Sequence, residues 1–141
     1  MRVSQFGISM IKKFEGFSAK PYLCPAGLKT IGYGHVILKG EYFNELTLIE
    51  GELILLSDLK QYEANLNQLK VKFNQNQFDA LISLSFNVGL RNFLSSTLCK
   101  YLRNSDYVSA AEEFSRWVFC KGKILGGLRS RRLIEKRLFL S

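Results

Sequence analysis

The chain has 141 residues, 47% of them hydrophobic, and a formal net charge of +8. That length suits one domain able to bury a core without disulfide staples. It contains no run approaching the ~18 apolar residues of a membrane span and no cysteine or histidine spacing typical of a metal site, so no metal or cofactor is expected.

Val3, Phe6, Ile8, Ile11 and Phe14 recur at near-helical spacing. Ser4 suits the N-cap and Gly16 the left-handed C-cap, which predicts a helix over 3–15 with Glu15 as its last side chain. An anion there runs against the helix dipole. A residue placed against its local preference is a candidate functional one. Pro21, Pro25, Gly27, Gly32, Gly34 and Gly40 then exclude helix from 16 to 40 and predict a small antiparallel sheet of two or three strands.

Thr47-Leu48-Ile49-Glu50 reads as a capping box. It opens a long helix whose apolar stripe is expected at Ile49, Leu53, Leu56, Leu59, Leu66 and Leu69. Asn74 or Asn76 starts the next helix, which ends near Gly89. Ser95 or Ser96, and then Ser105 or Asp106, open two more, and Gly126-Gly127 precede a last basic helix ending near Phe139. A strand-bearing N-terminal lobe followed by helices alone is an α+β pattern, and a ligand cleft is expected between the lobes.

From Lys100 onward ten Lys and Arg stand against four Asp and Glu. Such a basic third suits a polyanionic partner, either nucleic acid or the bacterial envelope. The three cysteines, Cys24, Cys99 and Cys120, are odd in number and imply a reduced compartment. Cys99 and Cys120 read as small apolar core residues. Met1 to Met10 lacks the apolar segment of a secretory signal.

The most chemistry-bearing stretch is Glu15 to His35. Glu15, Cys24 and Thr30 stand nine and six positions apart and are followed by Ile31-Gly32-Tyr33-Gly34-His35. This spacing resembles the bacteriophage-type lysozymes, glycoside hydrolase family 24, in which aspartate commonly holds the place of Cys24. The resemblance continues through Gln75 to Leu81, Phe86 to Gly89, Arg116-Trp117 and the Gly126 to Glu135 segment. It therefore covers nearly the whole chain.

The resemblance implies a single lysozyme-like domain over 1–141. A sheet lobe over about 16–46 would be joined by a helix over about 47–70 to a helical lobe over about 71–141, with the helix over 3–15 packed on that lobe. It implies a muramidase cutting the β-1,4 bond between N-acetylmuramic acid and N-acetylglucosamine in peptidoglycan. Glu15 would be the acid, Thr30 would hold the water, and Cys24 would act as an anion, water holder or nucleophile. A C-terminal arginine pairs with the glutamate in this family, and Arg129 matches best by position.

Tyr33, Phe86, Asn87 and Trp117 are the expected cleft lining, although Phe86 and Trp117 suit a core equally well. The lone His35 is expected to brace the site. The enzyme would be a monomer with no nucleic-acid partner and no integral membrane segment. It would be made in the host cytoplasm and released by a holin or another export route to act in the periplasm or cell wall. Two other readings compete: an amidase or peptidase with Cys24 as nucleophile and His35 as base, and a non-enzymatic basic wall-binding module.

Overall fold

The computed structural model describes residues 1–120 and 122–141. Helix α1 spans Gln5–Glu15. Ser4 caps it by accepting from the Gly7 N–H, and Gly16 closes it with φ 68° and its N–H on Lys12 O. Buried Asp79 locks the start of this helix. It accepts from the Ser4 N–H at 2.9 Å, from the Ser4 hydroxyl, and from Gln75. Gly7 makes this approach possible, because a Cβ there would lie 2.7 Å from the Asp79 carboxyl carbon. With its first turn pinned, α1 delivers Glu15 at its far end to a fixed place.

Three strands follow: β1 (Ser18–Leu23), β2 (Lys29–Gly32) and β3 (His35–Val36), antiparallel in that order. Tyr22 faces Thr30 and Ile31 faces His35 in the register. Pro21 falls in an irregular stretch of the edge strand β1, where its missing N–H breaks no central ladder.

The capping box of Thr47 and Glu50 opens α2 (Leu48–Gln68) as expected, a helix of 21 residues and about 30 Å. Its buried face differs from the expected stripe. Gly51, Leu55, Leu59 and Leu66 are inside, while Ile49, Leu53 and Leu56 are exposed. Two leucine sets run along this helix, and Gly51 selects between them. It lets the helix meet the sheet lobe so closely that a Cβ would lie 2.7 Å from the Phe17 ring.

Asn74 and Gln77 form a second capping box on α3 (Gln75–Val88), the central helix of the fold. Phe78, Ala80, Leu81, Ile82 and Leu84 on it are fully buried. Truncating such a residue as Phe78 to Ala costs about 3–5 kcal/mol. Among the described residues, four further α-helices and a 3-10 turn over Phe114–Arg116 complete the lobe: α4 (Leu90–Leu94), α5 (Thr97–Arg103), α6 (Tyr107–Glu113) and α7 (Gly126–Phe139). Gly126 and Gly127 belong to α7 itself rather than preceding it. A hairpin of β4 (Phe119–Cys120) and β5 (Lys123–Ile124), absent from the sequence expectation, precedes it. Among the described residues, no helix is long and apolar enough to cross a membrane.

Candidate active site

The β1–β2 turn is built by Cys24-Pro25-Ala26-Gly27. Gly27 N–H donates to Cys24 O at 2.8 Å, and Cys24 N–H to Leu28 O at 3.0 Å. Proline presets the second turn position, and Gly27 takes φ 84°. The turn faces the end of α1 across a cleft of about 750 Å³. Glu15, Cys24 and Thr30 all line this cleft, and so do Phe86, Asn87 and Trp117 on the helical side.

Glu15 is largely withdrawn from solvent, and its Oε2 accepts from Arg131 Nη1 at 2.5 Å. The guanidinium also lies over the Phe14 ring, 4.8 Å from its centroid. The expected partner, Arg129, is not the one used. It is exposed, whereas Arg131 is buried and lines the cleft. Two residues on a helix are about 200° apart, so when α7 turns Arg131 inward it turns Arg129 to solvent.

Behind Arg131 lies a buried charge cluster. Arg131 Nε donates to Glu135 Oε2 at 3.2 Å, and its Nη2 donates to Ser83 O at 3.0 Å. The Ser83 hydroxyl donates to the same Glu135 oxygen at 2.5 Å. Arg132 Nε sits 2.6 Å from Glu135 Oε1. Its N–H does not point along that line, so the two groups attract as charges without a directed hydrogen bond. Arg132 Nη1 also reaches Trp117 O at 3.4 Å and ties the cluster to the cleft wall.

Cys24 is half-buried and free. Desolvation works against its thiolate, but the backbone of Leu28 and Ala26, the Thr30 hydroxyl and the backbone of Gly27 outweigh it. The thiol is therefore held below its ordinary value. Hydrogen bonds from the turn's own backbone account for most of this. Thr30 is buried, and its hydroxyl donates to Leu28 O at 2.9 Å. It has one proton, so it serves either that carbonyl or the thiolate at a given moment. Tyr22 lies between the two candidate anions. Desolvation, followed by the charges of Glu15 and Cys24, pushes its phenol up.

His35 does not line the cleft. Its Nδ1 is 2.7 Å from Asp58 Oδ2 and its Nε2 is 3.0 Å from Glu41 Oε1, so it ties β3 to α2 and to the turn after β3. The sequence reading missed both carboxylates. Asp58 had a visible signal, since it lies between Leu55 and Leu59 on the buried face of α2.

Tyr33 is likewise absent from the cleft. It is buried against Phe17, with ring centroids 5.1 Å apart, and carries Lys12 Nζ over its ring at 5.2 Å. Its side chain points from the sheet toward α1 and α2, which rules out a place in the lining. Cys120, expected in the core, is half-buried in the cleft wall beside Phe119, while Cys99 is fully buried as expected.

The phage lysozyme family model matches residues 12–135. The chain is 42% identical to an endolysin of Acyrthosiphon pisum secondary endosymbiont phage 1, covering all of this chain and 99% of that protein. It is also 42% identical to an endolysin of Bacillus phage PZA, covering all of this chain and 56% of that longer protein. Among solved structures, the muramidase domain of SpmX from Asticcacaulis excentricus superposes with a TM-score of 0.88 at 32% identity, over 99% of this chain and 98% of that one. The chain therefore belongs to the phage lysozyme family: it is a glycoside hydrolase of the lysozyme type, a muramidase-type endolysin.

Proposed function

We propose that this enzyme hydrolyses the β-1,4 bond between N-acetylmuramic acid and N-acetylglucosamine, with Glu15 as general acid and with Cys24 and Thr30 serving the attacking water. The observation that carries this reading is that Glu15 shares one cleft with the β1–β2 turn bearing Cys24 and Thr30. Glu15 gives its proton to the leaving oxygen as the C1–O bond breaks. A water oriented by the Thr30 hydroxyl bonds to C1, and its proton passes to the Cys24 thiolate. Solvent then returns a proton to Glu15 and removes one from Cys24.

Phe86, Asn87 and Trp117 are read as the sugar-binding wall. His35 and Arg131 act as supports, one bracing the sheet and the other holding the acid.

The competing amidase or peptidase reading needs His35 as a base beside Cys24. Both ring nitrogens of His35 are engaged by Asp58 and Glu41, outside the cleft, which argues against it. Mass spectrometry of digested peptidoglycan tests the choice. New reducing muramic acid ends are expected, and free amines with intact glycan would overturn the proposal. The enzyme is further read as a monomeric single domain, made in the host cytoplasm and reaching the wall through a holin or another export route. Sedimentation, and lysis with and without a coexpressed holin, test those two points.

A further inference from the structure

We propose that Glu135, together with Ser83, is a positioning residue that holds Arg131 from behind and so limits it to a single contact on Glu15. The inference rests on the reading of Glu15 as the acid. Glu135 is fully buried on α7, where an isolated carboxylate would be strongly disfavoured. It is stabilised by Arg131 Nε at 3.2 Å, by Arg132 through Nη2 at 3.3 Å and Nε at 2.6 Å, and by the Ser83 hydroxyl at 2.5 Å. No atom of Glu135 or Ser83 lines the cleft, so neither touches substrate.

The consequence lies in how the guanidinium is divided. An arginine can grip a carboxylate with two parallel N–H groups, the strongest form of this pair. Arg131 does not do so with Glu15. Its Nε edge is taken by Glu135, its Nη2 by Ser83 O at 3.0 Å, and only Nη1 reaches Glu15. Two glutamates and two arginines leave the cluster formally neutral. Without Glu135, the Nε edge of Arg131 is free to turn onto Glu15 as a second donor and to draw the acid from its place in the cleft. Glu135 thus fixes the position of the acid at a distance from the chemistry.

The other groups facing Glu15 are Tyr22 of β1, Cys24 of the turn, Tyr62 of α2 and Arg132 of α7, with Asp58 of α2 beyond Tyr62. All are unchanged in the test variant, so a difference from the wild type isolates Glu135.

The test is kcat and KM measured separately on a soluble peptidoglycan oligosaccharide for the wild type and Glu135→Gln, with folding checked by circular dichroism. kcat is expected to fall at least tenfold while KM and Tm stay near the wild-type values, because the acid is displaced and the sugar-binding wall is not. Glu135→Asp keeps the charge but sets it back by one methylene, so its kcat should lie between the two. It also carries the test alone if the amide variant does not fold. A lower Tm with kcat unchanged, or kcat and KM impaired together, would make Glu135 a packing residue and overturn the inference. That outcome leaves the reading of Glu15 untouched. Activity surviving in Glu15→Gln would remove both.

Discussion

Gly34 lies against the carboxylate of Glu15 so closely that a Cβ on it would come within 2.5 Å of Oε1. Its backbone also takes φ 78°, in the left-handed region. The tight turn between β2 and β3 is thus one wall of the seat of the acid, and a side chain there is excluded on two grounds.

Gly34→Ala should therefore cost more than the ordinary penalty of about 1 kcal/mol for alanine at positive φ, because Glu15 must also move. Thermal unfolding should show the loss of stability, and lytic activity should fall at least tenfold in the fraction that remains folded. A variant with full activity would mean that Glu15 does not need this seat.

Glu15→Gln keeps the shape of the side chain but has no acidic proton to give. Turnover is expected to drop by 10²-fold or more, the usual scale of general acid catalysis. Arg131 retains Glu135 and Ser83 as partners, so the fold should survive with a Tm near that of the wild type. Turbidity loss of peptidoglycan together with a melting curve checks both halves. Near-wild-type turnover would remove Glu15 from the mechanism. Arg129→Ala should be silent in the same assay, because Arg129 faces solvent.

Cys24 distinguishes three roles. If it works as an anion or water holder, Cys24→Asp should keep substantial activity and Cys24→Ala should lose most of it, since a methyl group neither accepts a proton nor offsets developing charge. Should the thiol be a peptidase nucleophile, Asp would be as inactive as Ala. Pure packing would leave Ala active. The pH profile adds a sign. Despite desolvation, the turn's hydrogen bonds hold the thiol below its ordinary value of 9.0. Activity should therefore rise with pH as the thiolate forms, at a pH below 9, and this rise should vanish in the Asp variant.

His35 couples the sheet to α2, and its contribution should depend on pH. Burial works against its proton, but Asp58 and Glu41 outweigh it and hold the imidazolium above its ordinary value of 6.5. A group raised on folding contributes its stability fully below the unfolded value and loses it as pH rises through the folded one. Asp58 does not cancel this. Burial raises it in spite of the imidazolium, and that cost is already established before His35 deprotonates. In urea unfolding the gap between the wild type and His35→Asn should be widest near pH 6 and should shrink toward pH 9. A gap that is flat with pH would show that the ring acts by packing alone, for instance against Phe43, whose centroid is 5.8 Å away.

The sequence alone settled what depends on neighbours along the chain. Ser4, the Thr47–Glu50 box and the Asn74–Gln77 box mark helix starts because their hydrogen bonds span only three residues. The glycines and prolines of 16–40 define the sheet turns because they restrict φ locally. The resemblance of this stretch to the phage-type lysozymes also made Glu15, Cys24 and Thr30 legible as a group.

What the tertiary structure decided was which face of an element looks inward. About 200° of rotation on α7 separates Arg131 from Arg129. A glycine at position 51 determines which leucines of α2 are covered. The turn between β2 and β3 sends Tyr33 to the core rather than to the cleft. Asp58 lies 23 residues from His35, and Ser83 and Glu15 lie 48 and 116 residues from Arg131, although Glu41 and Glu135 are local partners six and four residues on. Caps and turns are written in local covalent geometry, whereas a helix carrying two apolar faces, or two arginines near one another, takes its orientation from the long-range packing that buries the larger area.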